Sequence, residues 1–236
     1  MKVLVTRPAG QAGALCQQLQ AVGFTVQHQP ALEIEPLPVS AAERRLLMDL
    51  DHFHAVCFTS ANAARLALDA MSDLWPQWPV GLHWLAVGRA TAAELQRWQL
   101  PATVPAQGFN SEALLALPCL QHLQEKRVLL CRGEGGRALL EQTLRERGAE
   151  VLSLVLYRRR PAADFAWPTG IDALMVTSVE SWQAMADVVP ASCLVVVAGD
   201  RVAQQLRGQH DGPMVVADSA HDADMVRALQ AAGGRH

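Results

Sequence analysis

The chain has 236 residues, half of them hydrophobic, with 23 acidic against 20 basic and a formal net charge of −3. Such an apolar fraction supports a sizeable core and excludes a disordered chain, and the acidic balance excludes a nucleic-acid binder that works by broad electrostatics. No apolar run approaches the ~20 residues that cross a bilayer, and the five widely spaced cysteines read as reduced thiols of a cytoplasmic protein.

Met1-Lys2-Val3-Leu4-Val5-Thr6-Arg7 is charged too early for an export signal and reads as a first strand, at residues 3–6. Leu15, Leu19 and Val22 mark the apolar face of a helix that Gly23 ends. Residues 24–29 form the next strand. Ser40-Ala41-Ala42-Glu43 is a capping box, in which each side chain reaches the other's unpaired N–H. A strand at 54–58, a helix from about Ala61, a strand at 84–87 and a helix from about Thr91 follow, and Ser111 opens another helix. Later strands fall at 128–131, 151–157, 173–176, 194–198 and 214–216, with helices near Gly136, Glu180, Asp200 and Asp222. Short β-branched runs alternating with helical periodicity predict an α/β fold of parallel sheets and crossover helices.

The pattern repeats. Lys2-Val3-Leu4-Val5-Thr6-Arg7 answers Arg127-Val128-Leu129-Leu130-Cys131-Arg132, and the same register sets Gly10 opposite Gly135, Leu15 opposite Leu140 and Gly23 opposite Gly148. Phe58-Thr59-Ser60 answers Val176-Thr177-Ser178. The chain therefore reads as two copies of one α/β unit. Proline-bearing stretches at 34–38 and 158–161 stand at matching points of the repeat. Proline there stops a strand from continuing into a sheet, so both are expected linkers, by which the chain leaves one lobe and returns.

Gly133-Glu134-Gly135-Gly136-Arg137-Ala138 satisfies the glycine fingerprint of a dinucleotide site, but the next strand ends in Tyr157-Arg158-Arg159-Arg160 rather than an acidic residue. An NADP-dependent oxidoreductase is one reading of those arginines; a tight strand-to-helix turn is the other. Hydroxyl residues gather where strands meet helices, at Thr6, Thr59-Ser60, Thr91, Ser111 and Thr177-Ser178. Each can cap a helix, and each can present N–H groups and a hydroxyl to an anion. No C-x-x-C, H-E-x-x-H or G-x-S-x-G pattern occurs, and His52 and His54 lack the partners a metal needs. Trp75 and Trp78 flank Pro76 and Pro79 as a packed loop. Tyr157, the single tyrosine, ends a strand beside a linker.

Taken in order, Val5-Thr6-Arg7-Pro8, Phe58-Thr59-Ser60-x-Asn62-Ala63, Val87-Gly88-x-x-Thr91-Ala92, Arg132-Gly133-x-Gly135-Gly136-Arg137, Arg147-Gly148-Ala149-x-Val151 and Tyr157-Arg158-Arg159 resemble the uroporphyrinogen-III synthase family. So do Thr177-Ser178-x-Glu180 and Arg201-Val202-Ala203, and the resemblance runs from Lys2 to about Leu229. Gly199-Asp200-Arg201 departs from the family by lacking a hydroxyl. The resemblance implies two similar flavodoxin-like parallel-sheet lobes joined by a two-stranded linker, with the active site in the cleft. Residues 1–35 with 160–236 would form one lobe and 38–157 the other. It implies a monomeric lyase without cofactor or metal, with no nucleic-acid or membrane partner. A transient contact with hydroxymethylbilane synthase is left open.

The implied substrate is hydroxymethylbilane, a linear tetrapyrrole with two carboxylate arms on every ring. Loss of its hydroxyl as water gives an azafulvene cation. The last pyrrole attacks through its substituted α-carbon, and the spiro intermediate fragments and recloses with that ring inverted, as uroporphyrinogen III. Tyr157 is implied as the general acid. Substrate binding falls to Arg7, Thr59, Ser60, Asn62, Thr91 and Ser111 in the first part of the chain, and to Arg132, Gly133, Arg137, Thr177, Ser178 and Arg201 in the second. A two-lobed binding protein without catalysis is the remaining alternative.

Overall fold

The computed structural model describes residues 1–108, 110–136 and 138–233. In chain order the chain runs β1 (Lys2–Val5), α1 (Gly13–Ala21), β2 (Thr25–His28), β3 (Leu32–Pro36), α2 (Ala41–Met48), β4 (Ala55–Phe58), α3 (Ala61–Ser72), β5 (His83–Ala86), α4 (Arg89–Arg97), β6 (Ala102–Thr103) and α5 (Ser111–Leu115). It continues through β7 (Arg127–Gly133), α6 (Leu139–Glu146), β8 (Glu150–Pro161), β9 (Ala173–Val176), α7 (Val179–Gln183), β10 (Leu194–Ala198), α8 (Gly199–Leu206), β11 (Met214–Ala217) and α9 (Asp222–Gly233). Two compact units result: residues 1–34 with 160–236, and residues 35–159.

The first unit holds a sheet in the order β11-β10-β9-β1-β2, and every neighbouring pair is parallel. Alternation along each strand divides its side chains between two faces. Val3 and Val5 join Leu15 and Leu19 of α1 and Met225 and Leu229 of α9 on one face. Leu4, Val195 and Val197 join Trp182 of α7 and Val202 and Leu206 of α8 on the other. Both faces are therefore covered, as a parallel sheet requires. Val22, expected on the apolar face of α1, is 42% exposed, because it is the helix C-cap and Gly23 turns the chain at φ +92° immediately after it.

The second unit holds the order β3-β8-β7-β4-β5-β6, with β8-β7-β4-β5-β6 parallel throughout. Ala55, Cys57, Val128 and Leu130 bury one face under α5 and α6. On the opposite side α3 and α4 pack together, and Phe58 stacks on Trp84 with ring centroids 6.2 Å apart. Trp78 meets Trp84 and Trp98 edge to face, so the Trp75–Trp78 stretch is a packed loop. Ser40 and Glu43 form both bonds of the expected capping box at α2.

Four expectations are corrected. The proline-bearing stretches are not linkers free of strand: β3 runs to Pro36 and β8 to Pro161, each strand stopping at its proline as expected, where a missing N–H does little harm. The chain crosses between units in these two strands, and Arg158 of β8 holds Glu35 of β3 through paired bonds of 2.8 and 2.7 Å. Ser111 does not cap α5; Asn110 does, its Oδ1 accepting from Ala113 N at 2.8 Å. The helix expected near Gly136 opens only at Leu139, since Gly135 and Gly136 both take positive φ. Thr91 does not open α4 either. Gly88 stands at the N-cap, and Thr91 lies three residues on, 3% exposed.

Candidate active site

Open α/β sheets bind ligands at the carboxyl ends of strands, where the strand order reverses and neighbouring crossovers leave to opposite faces. In the second unit that point lies between β4, followed by α3, and β7, followed by α6. A pocket of about 300 Å³ opens there. Thr59 and Ser60 after β4 line it, with Arg132 and Gly133 at the end of β7, Glu134 through Gly136 after it, Tyr157 and Arg159 of β8, and Asn110 and Ser111 from the start of α5. The volume is at the small end of ordinary ligand sites.

Tyr157 is the most constrained of these residues, 2% exposed despite lining the pocket. Its backbone carbonyl accepts from Glu134 N at 2.7 Å, and it stands opposite Gly133 just past a register shift between Arg132 and Gly133. That shift carries the ring over Gly133. A Cβ on Gly133 would sit 2.5 Å from Tyr157 Cζ and under 3 Å from both Cε atoms. Glycine is required here by close approach, since its φ is not in the left-handed region. Tyr157 Oη stands 3.1 Å from Ser60 Oγ and accepts from Arg159 Nη2 at 3.3 Å. The Arg159 guanidinium lies 5.7 Å from the ring centroid.

Ser60 is the N-cap of α3, its Oγ accepting from Ala63 N at 3.1 Å. Thr59 Oγ1 donates to Cys131 O at 3.3 Å, tying the end of β4 to β7. Arg132 donates to Glu141 Oε2 at 3.3 Å and to Gly135 O at 3.1 Å, while its buried Nε has no partner among the described residues. Arg145 holds the other oxygen of Glu141 at 2.7 Å. The pocket thus combines two guanidinium groups, several hydroxyls and a glycine turn, a set suited to carboxylate or phosphate oxygens.

Of the expected site residues, the pocket brings together Thr59, Ser60, Ser111, Arg132, Gly133 and Tyr157. Asn62 and Thr91 do not line it; Asn62 follows the cap by two residues and Thr91 is in the core. Arg137 lies outside the described residues. Arg7, Thr177, Ser178 and Arg201 belong to the first unit. Within it, Arg7 and Thr177-Ser178 follow β1 and β9, the two strands at that sheet's own reversal point. Arg7 is held by Asp222 at 2.5 Å and by Ala220 O at 2.8 Å. Ser178 caps α7, and Arg201 is exposed on α8. Asn110 and Arg159 were not expected. Period two along a strand puts Arg159 on the face of Tyr157, which was the available signal. The dinucleotide reading does not fit: the Tyr157 ring covers Gly133, and Arg158 is engaged by Glu35, whose hydrogen bond holds the guanidinium pKa above its ordinary value.

Fold and pocket define a two-unit parallel α/β protein with a polar pocket, its donors suited to anionic oxygens, at a sheet's reversal point. The family model described as uroporphyrinogen-III synthase HemD matches residues 13–227. Relatives named uroporphyrinogen-III synthase include one from Salmonella typhimurium, 34% identical, the match covering 98% of this chain and all of the relative. Another, from Escherichia coli, is 32% identical over the same shares. The chain belongs to the uroporphyrinogen-III synthase family. A crystal structure of uroporphyrinogen-III synthetase from Helicobacter pylori, only 16% identical, shares the fold at a TM-score of 0.67, covering 98% of this chain and 99% of that one.

Proposed function

We propose that this chain is a lyase that removes water from hydroxymethylbilane and closes the tetrapyrrole as uroporphyrinogen III, with the terminal ring inverted. The observation that carries the reading beyond family membership is the Tyr157 phenol, lining an anion-accepting pocket with hydrogen-bonding neighbours already in place. An acidic chain does not draw in a polyanion by its overall field, so carboxylates are recognised locally, by Arg132, Arg159, hydroxyls and backbone N–H groups. Arg7, Thr177, Ser178 and Arg201 are proposed to serve the same substrate from the first unit.

The chemistry needs a proton on the departing hydroxyl, and Tyr157 supplies it. The C–O bond breaks with its electron pair leaving as water, and the cation left on the terminal methylene is attacked by the last pyrrole. When that ring recloses, its open α-carbon loses a hydrogen, which returns the proton. Inversion is then a matter of holding the chain of pyrroles so that the substituted α-carbon is the nearer nucleophile. The enzyme is proposed to be monomeric and cytoplasmic, to need neither cofactor nor metal, and to keep its activity after dialysis against a chelator.

The test is to incubate the protein with freshly prepared hydroxymethylbilane and determine the isomer of the oxidised product. Faster consumption with isomer III as the product is expected. The uninverted isomer I alone, which the linear substrate gives spontaneously, overturns the reading.

A further inference from the structure

We propose that Ser60 is a positioning residue for the Tyr157 proton: its hydroxyl donates to the phenol oxygen and thereby directs the phenol's own O–H into the pocket. The inference rests on the proposed role of Tyr157 as proton donor. It reassigns Ser60, which the sequence suggests as a carboxylate ligand.

The argument is one of donors and acceptors. A serine hydroxyl has one hydrogen and two lone pairs. At Ser60 one lone pair is committed to Ala63 N, 3.1 Å away, as the cap of a 12-residue helix. The phenol oxygen, at 3.1 Å, is its other hydrogen-bonding neighbour among the described residues. Pointing the Ser60 hydrogen at Tyr157 satisfies it; pointing the phenol hydrogen at Ser60 would leave the serine hydrogen without an acceptor among the described residues. Arg159 Nη2 already donates to the same phenol oxygen at 3.3 Å. With Ser60 and Arg159 both donating, the lone pairs of Oη are occupied, and the O–H is turned away from both neighbours, toward the pocket.

The same arrangement serves the moment after transfer. The Tyr157 O–H bond breaks, the proton goes to the leaving hydroxyl, and negative charge appears on Oη. Two donors, one of them cationic, are then already aimed at that charge, with no reorganisation needed. The geometry is held at every corner. Gly133 fixes the ring from below, and Ser60 is anchored between β4 and α3. A donor pair on rigid elements is what proton positioning demands.

The test is a double-variant cycle on the full chain, reading kcat and KM for hydroxymethylbilane with the melting temperature of each variant. Ser60→Gly removes the hydroxyl while keeping a residue that starts helices nearly as well. Ser60→Asp, which caps strongly but carries no hydroxyl hydrogen, is the second variant should Ser60→Gly unfold. Loss of one supporting hydrogen bond predicts a drop in kcat of about 10-fold, with KM changed by no more than about twofold. In the Tyr157→Phe background Ser60→Gly causes no further loss, since there is no proton left to orient. Ser60→Thr, which keeps the hydroxyl, retains most of the turnover. If the losses multiply in the double variant, if only KM moves, or if Ser60→Asp turns over like the wild type, the role of Ser60 is refuted while Tyr157 stands. Wild-type turnover in Tyr157→Phe refutes instead the donor reading beneath it.

Discussion

Replacing Gly133 by alanine tests the packing that sets the phenol in place. The new methyl carbon would lie 2.5 Å from Tyr157 Cζ, 2.8 Å from Cε2 and 2.9 Å from Cε1. Relief requires the ring to move by roughly 1 Å, since ordinary carbon contacts are near ~3.5–4.0 Å. The ring is 2% exposed, so any shift displaces packed neighbours or carries it into the pocket it lines. Overpacking of this kind costs about 1–3 kcal/mol. At 236 residues each kcal/mol is worth about 2–4 °C in melting temperature, so a fall of about 2–12 °C is expected. Moving Oη away from Ser60 and Arg159 by a comparable distance lowers turnover by about 10²-fold. The assay is thermal unfolding alongside kcat, with Gly133→Ala repeated in two backgrounds. In Tyr157→Phe the clashing ring atoms remain and the stability loss persists. In Tyr157→Leu those atoms are gone and the loss disappears. Gly133→Ala with wild-type melting and turnover, or an equal loss in both backgrounds, refutes the reasoning.

Further outcomes follow from burial and capping. His83 is exposed as a residue, yet partial desolvation of its imidazole lowers its pKa, with His54 adding to it from a ring centroid 4.8 Å away. The unfolded chain takes up that proton near pH ~6.5 while the folded chain resists, so this contribution to stability is complete above that pH and is lost as pH falls through the lowered value. Melting temperature should rise with pH across that window, and His83→Gln should flatten the slope; an unchanged slope contradicts the assignment. Burial also raises the thiol pKa of Cys57 and Cys131, and that of Cys193 to about 12. Iodoacetamide should therefore label these three only after unfolding in urea, and rapid labelling of Cys57 in the native protein, followed by mass spectrometry, contradicts it. Ser40→Ala removes the capping box of α2 and should cost about 1 kcal/mol in denaturant titration with turnover unchanged.

Much of the fold was legible in the sequence because the central strands are continuous apolar runs. β1, β4, β7 and β9 are buried on both faces and so read as strands without reference to any partner. β3 was not legible. Leu32-Glu33-Ile34-Glu35-Pro36 alternates charge and ends in proline, and its pairing depends on the overlong carboxyl half of β8, including Arg158 opposite in charge to Glu35. The hydroxyls at Thr59, Ser60 and Ser111 pointed to the pocket, whereas Thr91 misled because hydroxyl type alone does not tell a cap from a buried core position. The approach of Tyr157 to Gly133 arises from a register shift between two strands, and register is a tertiary property that neither residue announces.

The central claim is that Tyr157 delivers the proton, and Tyr157→Phe tests it most directly, because the ring's packing on Gly133 is kept and only the donor is deleted. Single-turnover reaction with enzyme in excess over hydroxymethylbilane keeps the spontaneous reaction from dominating. General acid help is typically worth ~10²–10⁴-fold, so the rate should fall by that order, while the enzyme-bound product remains mainly isomer III because the pyrroles are still held for inversion. A wild-type rate in the phenylalanine variant contradicts the account.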